Sequence, residues 1–283
     1  MMPALSLDQI LHLVAWGVAQ IEIILALYVF LLNVWHASNR YISAMFLLFA
    51  VNNIAVGWML DAQDIGQAHW ATTVVAVTAP AIQPFVLMGT VALLRPELLR
   101  SRWRWLVRLT AITPLVLTLV DVYAGTGFWY TGLDPHTYAG GFVPLSEYAA
   151  GRLAPLIRVL VFYLISLVTL ALVLHVALDK KLSLRYRRIG WVLFVGMVVV
   201  AAINVALRRY YSTSLTSIVS SVFFILVYGY AAFQQLVSER RMQRGSLPVR
   251  LTLIIIAITV PLFLAVTYSF MDRARTEMRR MAV

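Results

Sequence analysis

The chain has 283 residues, of which 61% are hydrophobic and 12% are charged, and its mean hydropathy is +0.84. Soluble domains carry about 25% charged residues, so this composition excludes a soluble fold and predicts a membrane protein. The net charge of +11 comes from basic residues in short segments between apolar runs, which is typical of loops that set membrane topology and does not indicate nucleic-acid binding.

Eight apolar segments are each long enough to cross a hydrocarbon core of about 30 Å as a helix. None of them alternates between apolar and polar residues as the strand of a membrane barrel does. The predicted fold class is therefore all-α, a polytopic membrane protein with a seven-helix transmembrane bundle plus an eighth transmembrane helix. The segments lie at residues 9–34, 41–60, 71–94, 106–123, 153–178, 189–207, 214–237 and 251–270.

The distribution of Lys and Arg predicts the orientation. One set of loops contains fifteen of these residues and the opposite set, with the C-terminal tail, contains eight. Because basic loops stay in the cytoplasm, we expect the N-terminus outside. Residues 1–238 then form the seven-helix domain and residues 239–250 a cytoplasmic basic linker. Residues 251–270 form the eighth helix, and the arginine-rich residues 271–283 begin a further extracytoplasmic segment.

The longest predicted loop, residues 124–152, lies outside the membrane and is rich in Gly, Pro and aromatic residues. Two interpretations stay open for it. Its aromatic side chains fit a belt at the level of the lipid headgroups. A loop of this length also fits a lid over a pocket.

Polar side chains at membrane depth are expensive and therefore informative. Glu22 lies near the middle of the first helix, and Ser217 and Ser221 share one face of the seventh. These groups either form hydrogen bonds and an ion pair between helices or line an outward-facing cavity for a small ligand. The cavity interpretation is favoured for Glu22 and Arg158 together. The candidate pocket residues are Glu22, Asn52, Asn53, Gln83, Asp121, Arg158, Asn204, Ser217 and Ser221.

The sequence shows no catalytic motif and no grouped histidines, so we expect no enzymatic activity, no metal site and no cofactor. Zero cysteines also exclude disulfides and thiolate catalysis. The only lysines are Lys180 and Lys181, in a predicted loop, which excludes a retinal Schiff base. No inverted repeat of the kind found in secondary transporters is visible.

Several short stretches carry a family resemblance. They are the Ser-Asn-Arg turn at residues 38–40, Gly-Trp-Met-Leu at 57–60, YRRIGWVLF at 186–194 and YGYAAFQQL at 228–236. With the helix pattern, they make residues 9–238 similar to the N-terminal seven-transmembrane sensor region of bacterial membrane histidine kinases and diguanylate cyclases. Residues 247–270 resemble the helix that leads into the external ligand-binding domain of chemoreceptor-type sensors.

The resemblance implies a sensory input module of a bacterial signal-transduction protein, of the two-component or cyclase type, in the inner membrane. It implies a homodimer in the lipid bilayer, a small or lipophilic ligand or a membrane state as the stimulus, and a downstream signalling domain or protein. It implies no catalytic output within these 283 residues. The alternative is a non-enzymatic subunit of a larger membrane complex or a small channel-like protein.

Overall fold

The structure is a computed structural model that describes residues 7–32, 34–60, 62, 65–102, 104–133, 148–210 and 213–240. Contacts divide the chain into the units Met1–Gln235 and Leu236–Val283, and of the second unit the described part covers only residues 236–240. The helices are α1 Leu7–Leu32, α2 Ala37–Leu60, α3 Ile65–Leu94, α4 Pro96–Arg100, α5 Arg104–Ala124, α6 Ala154–Ile157, α7 Ile165–Leu178, α8 Leu184–Tyr210 and α9 Thr213–Arg240.

Six of the described helical segments are long and apolar enough to cross a membrane. They match six of the eight predicted spans, and α9 makes the seventh predicted segment helical as well. The predicted eighth helix, residues 251–270, lies outside the described residues, as do the linker and the tail beyond Arg240. The number of spans, the domain boundaries and the external N-terminus therefore stay predictions. The six spans run over His12–Leu31, Ala37–Leu60, Gly66–Leu94, Arg104–Ala124, Ala154–Leu178 and Leu184–Val205.

Helices α2 and α3 form the centre of the bundle. In the most apolar windows of these two helices, 61% and 67% of the residues are buried. In the other four spans the buried share is 17–33%. Helix α2 packs against α1 and α3, and α3 also contacts α5 and α7. A helix that is apolar all round needs protein or lipid on every side. Protein covers most of α2 and α3, whereas the outer helices expose more apolar side chains, such as Leu27, Leu109 and Leu167.

The span between residues 154 and 178 is not a uniform α-helix. Seven residues, Arg158–Leu164, form a π-helical segment between α6 and α7. The apolar pattern of this stretch predicts a single helix. It does not reveal the π-helical segment, because an apolar sequence is compatible with both i→i+4 and i→i+5 hydrogen bonding. Segments of this kind often occur at functional sites, since they change the direction of the side chains that follow.

A short hairpin joins α5 to α6 where the sequence suggests only a loop. Strand β1, Tyr130–Leu133, pairs antiparallel with β2, Tyr148–Ala150. After β2 the chain returns so close to β1 that a Cβ on Gly151 would lie 2.3 Å from the carbonyl of Phe128. The all-α class therefore holds for the membrane-spanning part, with a small two-stranded addition at one end.

At the opposite end, an ion pair joins the ends of α3 and α7. Arg95 contacts Asp179 at 3.0 Å and Glu97 at 3.4 Å. The pKa of the Asp179 carboxyl lies below its ordinary value, first because it accepts the backbone N–H of Lys181 and then because Arg95 is close. Arg95 and Asp179 are both partly buried, and their contact sets the relative positions of the two helix ends.

Close helix packing at Gly190 makes a first prediction. A Cβ on Gly190 of α8 would lie 2.9 Å from the backbone nitrogen of Ala177 in α7, whereas nothing lies within 4 Å of a Cβ on Gly17 of α1. We expect Gly190→Ala to lower the free energy of unfolding by about 1–3 kcal/mol through overpacking. Gly17→Ala, the matched control, is expected to leave it unchanged or to raise it by up to about 1 kcal/mol. Thermal unfolding of both variants in nanodiscs checks this, and equal midpoints would contradict it.

Candidate functional site

A buried polar junction joins α1, α2 and α9 at membrane depth. The side-chain nitrogen Nδ2 of Asn53 donates to Oε2 of Glu22 at 2.8 Å and to Oγ of Ser221 at 2.8 Å. All three side chains have essentially no exposed surface. Each comes from a different helix, so one amide group holds three helices in register. We call Glu22, Asn53 and Ser221 the polar junction.

Two oxygen atoms of the polar junction have no hydrogen-bond partner among the described residues: Oε1 of Glu22 and Oδ1 of Asn53. The ion pairs among the described residues are those of Arg95, so no cation pairs with Glu22 there. A buried charge without a partner is very costly, and a buried neutral acceptor without one still costs about 1–3 kcal/mol. The junction is therefore incomplete, and it has the capacity to accept a proton or the donor of a ligand.

The neighbouring Asn52 has a separate partner. Its Oδ1 accepts the hydroxyl of Thr78 in α3 at 2.9 Å, and Thr78 also donates to the carbonyl of Val74. Consecutive helical residues point about 100° apart, so the two asparagines face different neighbours. Asn53 faces α1 and α9, and Asn52 faces α3.

Helix α9 is held at a second level by Tyr228. This fully buried residue lies two turns after Ser221, and its hydroxyl is hydrogen-bonded to that of Thr90 in α3. One turn earlier, the ring of Phe224 packs 5.1 Å from that of Phe49 in α2. The seven-residue spacing puts Ser221 and Tyr228 on the same face, and that face points into the bundle.

Two other predicted pocket residues bond within separate helix pairs. Oε1 of Gln83 in α3 accepts the hydroxyl of Ser166 in α7 at 3.1 Å. Oδ1 of Asn204 in α8 accepts the hydroxyl of Ser220 in α9 at 3.0 Å. The side chain of Ser217 lies outside the described part of the chain. The predicted residues thus take part in several distinct contacts, of which the polar junction joins the most helices.

Asp121 and Arg158 are not brought together. The carboxylate of Asp121 accepts the hydroxyl of Thr126 and the backbone N–H groups of residues 128, 129 and 130, the latter three at 2.8–2.9 Å. Arg158 is exposed in the π-helical segment, and no described hydrogen bond or ion pair joins it to Glu22 or Asp121. Asp121 therefore fixes the start of the hairpin, and the expected association of Glu22 with Arg158 is not present in the described contacts.

Sequence reasoning missed an aromatic group on α1, α2 and α3. The rings of Trp16, Trp58 and Trp70 follow one another at 5.9 Å and 4.6 Å, and they connect α1, α2 and α3. Trp58 belongs to the Gly-Trp-Met-Leu stretch that carries part of the family resemblance, so one member of this aromatic group was visible in the sequence. In the part of the chain that the structure describes, the buried Nε1 of Trp16 has no hydrogen-bond partner, and it lies against Gly57.

The hairpin carries a second missed group. The indole of Trp129 donates to the carbonyl of Ala76 at 2.8 Å, and burial raises the pKa of the Tyr130 phenol above its ordinary value. These contacts seat the first strand on α3. They give Trp129 and Tyr130 a packing role. The described residues show no group of three His, Asp or Glu side chains placed to hold a metal ion.

No protein family, no curated protein and no solved structure matches this chain. The resemblance to bacterial sensor regions therefore stays a prediction.

The bonds of Asp121 predict a local effect. In Asp121→Asn an amide NH₂ replaces an oxygen that accepts from backbone N–H groups, so donors face donors. We expect hydrogen exchange of the amides at residues 128–130 to become at least about tenfold faster, the factor that corresponds to about 1.4 kcal/mol. Thr126→Val removes one donor only and is expected to have a much smaller effect. Mass spectrometry of the exchanged protein checks both variants, and equal rates would contradict the assignment.

The polar junction predicts coupling between its members. Asn53→Ala removes the donor of two bonds, and Ser221→Ala removes one acceptor. The destabilisation by the double variant should be smaller than the sum of the single effects, with a coupling energy of about 0.5–1.5 kcal/mol. Unfolding in bicelles measures these free energies. Gln83→Ala, which lies in a separate contact, is the control and should be additive with Ser221→Ala.

Proposed function

We propose that this chain is a membrane sensory input module of a bacterial signal-transduction protein, and that the polar junction is the element that changes state. The observation that carries the proposal is the pair of unpartnered oxygens on Glu22 and Asn53 within a contact that joins three helices. The alternative role, as a subunit of a larger complex or a channel-like protein, needs no such element.

An incomplete buried contact is a good basis for a two-state element. A fully satisfied network, or an apolar replacement, would hold α1, α2 and α9 more firmly. Here a proton, a ligand donor or a change of rotamer at Glu22 would alter which bonds Asn53 makes. Any stimulus that interacts differently with the two arrangements shifts their populations.

Helix α9 supplies a path for the signal. It runs without interruption from Thr213 to Arg240, and Ser221 lies near its first third. At 1.5 Å per residue, the distance from Ser221 to Arg240 is about 28 Å, close to the thickness of a bilayer core. A shift or rotation of α9 at the junction is therefore carried to the other end of the span, where the predicted basic linker begins.

The junction is also close to the lipid. Ile21, beside Glu22 on α1, exposes about half of its surface, and only a third of the most apolar window of α1 is buried. One helix thus separates the polar junction from the bilayer. This supports a lipophilic ligand or the state of the membrane as the stimulus, because either would act directly on the packing of α1.

Distance measurements on the full chain test the proposal. Because the sequence has no cysteine, single cysteines at the exposed Leu27 of α1 and Leu226 of α9 take spin labels without background. We expect two interconverting distances in nanodiscs. Glu22→Gln should change their ratio by at least about fivefold, the lower range of allosteric coupling, because the amide adds a donor to the junction.

The control is Arg158→Gln, at an exposed position with no described bond to the junction. It should leave the ratio unchanged. A sensory role also requires that the ratio changes with bilayer thickness or with a small lipophilic compound. A single distance under all conditions, unaffected by Glu22→Gln, would contradict the proposal, and a co-purifying membrane subunit would then favour the alternative.

A further inference from the structure

A second polar feature lies at the other end of α2, away from the polar junction. A cavity of about 230 Å³ opens between the turn before α2, the short helix α4 and the first turns of α5. Its lining includes Trp35, Arg40, Tyr41, Leu99 and Arg108. We call it the basic cavity. Its volume lies below the roughly 300–1,000 Å³ of pockets for drug-sized ligands, so it suits a small headgroup.

The charge of the basic cavity has one sign. Arg40 and Arg108 line it, and none of the described residues that line it is acidic. The closest acidic residue in sequence, Glu97, is paired with Arg95 and is largely exposed. The cavity also lies at the start of α2, where the helix dipole adds partial positive charge. These groups favour an anion.

The position of the basic cavity identifies the source of that anion. Arg40 lies in the first turn of the span Ala37–Leu60, and Arg108 in the second turn of the span Arg104–Ala124. Trp35 exposes 88% of its surface and Trp105 exposes 60%, beside Arg108. Tryptophan and arginine at the ends of spans mark the boundary between hydrocarbon and water, where the available anions are lipid phosphates.

We propose that the basic cavity binds the phosphate of an anionic phospholipid headgroup, with Arg40 and Arg108 as its cations. The side chains of Trp35, Tyr41 and Leu99 contact the glycerol and the first methylenes of the acyl chains. Such a lipid connects α2 to α5, two helices that both pack on α3. None of the candidate pocket residues at membrane depth belongs to this site.

The experiment compares the full chain in nanodiscs of phosphatidylcholine with the same nanodiscs containing phosphatidylglycerol. Native mass spectrometry should show phosphatidylglycerol retained on the wild-type protein in preference to phosphatidylcholine. The double variant Arg40→Gln/Arg108→Gln should retain about thirtyfold less, as expected for the loss of two arginines that contact one headgroup. No preference in the wild-type protein would overturn the proposal whatever the variants do.

A matched control separates the basic cavity from general surface charge. Lys180→Gln/Arg188→Gln removes two exposed charges near the turn between α7 and α8, at the same end of the bundle and outside the cavity. This variant should retain phosphatidylglycerol as the wild-type protein does. An equal loss in both double variants would overturn the proposal, since it would assign the preference to net charge.

A third arm distinguishes the lipid from a free anion. Inorganic phosphate is added to the protein in phosphatidylcholine nanodiscs and the unfolding temperature is measured. The lipid proposal expects stabilisation by phosphatidylglycerol and none by inorganic phosphate. Equal stabilisation by both, lost in Arg40→Gln/Arg108→Gln, would overturn it in favour of a site for a soluble phosphate.

Discussion

The amide of Asn53 is the contact on which the arrangement of the bundle depends most. In hydrocarbon no water is present to satisfy polar groups, so every buried side chain of this kind must find a partner within the protein. Asn53 has both hydrogens of its Nδ2 group in use, one towards α1 and one towards α9. Turning any of these helices about its axis would break a bond that cannot be replaced by solvent. The apolar residues around it hold the helices together, and the amide determines their rotation.

The same constraint explains why several other polar side chains are found in pairs. Three of these pairs connect α3 to a neighbouring helix: Thr78 with Asn52 of α2, Gln83 with Ser166 of α7 and Thr90 with Tyr228 of α9. Helix α3 thus has polar contacts at three levels, and most of its apolar surface is covered by protein. Such bonds contribute only about 0.6 kcal/mol each on average in membranes, so their value here is in specifying neighbours more than in stability.

The spans could be predicted from the sequence because bilayer thickness sets their length, and six of them are found where the apolar runs lie. The start of α3 could not be predicted in the same way. The helix begins at Ile65, six residues before the predicted start, because interfacial residues such as Gly66 and Trp70 are less apolar but still helical. The hairpin at Tyr130 could not be predicted either, because it depends on backbone contacts around Gly151. The high cost of burial singled out Glu22, Asn53 and Ser221, and the structure brings these three together. The hydrogen bonds between them could not be predicted, because they depend on how each helix is rotated about its axis. For the same reason Arg158 was expected inside the bundle and is found exposed.

Helix α2 connects the two polar features of the molecule. Arg40 and Asn53 lie thirteen residues apart on one continuous helix, a separation of about 20 Å along its axis. An anion at the basic cavity would hold the first turn of α2 at the headgroup level, and the polar junction holds its deeper half against α1 and α9. A helix fixed at two heights cannot slide or tilt without changing at least one of these contacts. Because side chains around α2 are closely packed, such a change is transmitted as a movement of the whole helix and not absorbed locally. With a lipid bound as proposed, the headgroup and the buried amide would be two contacts on one helix, and binding at the first would bear on the balance of bonds at the second.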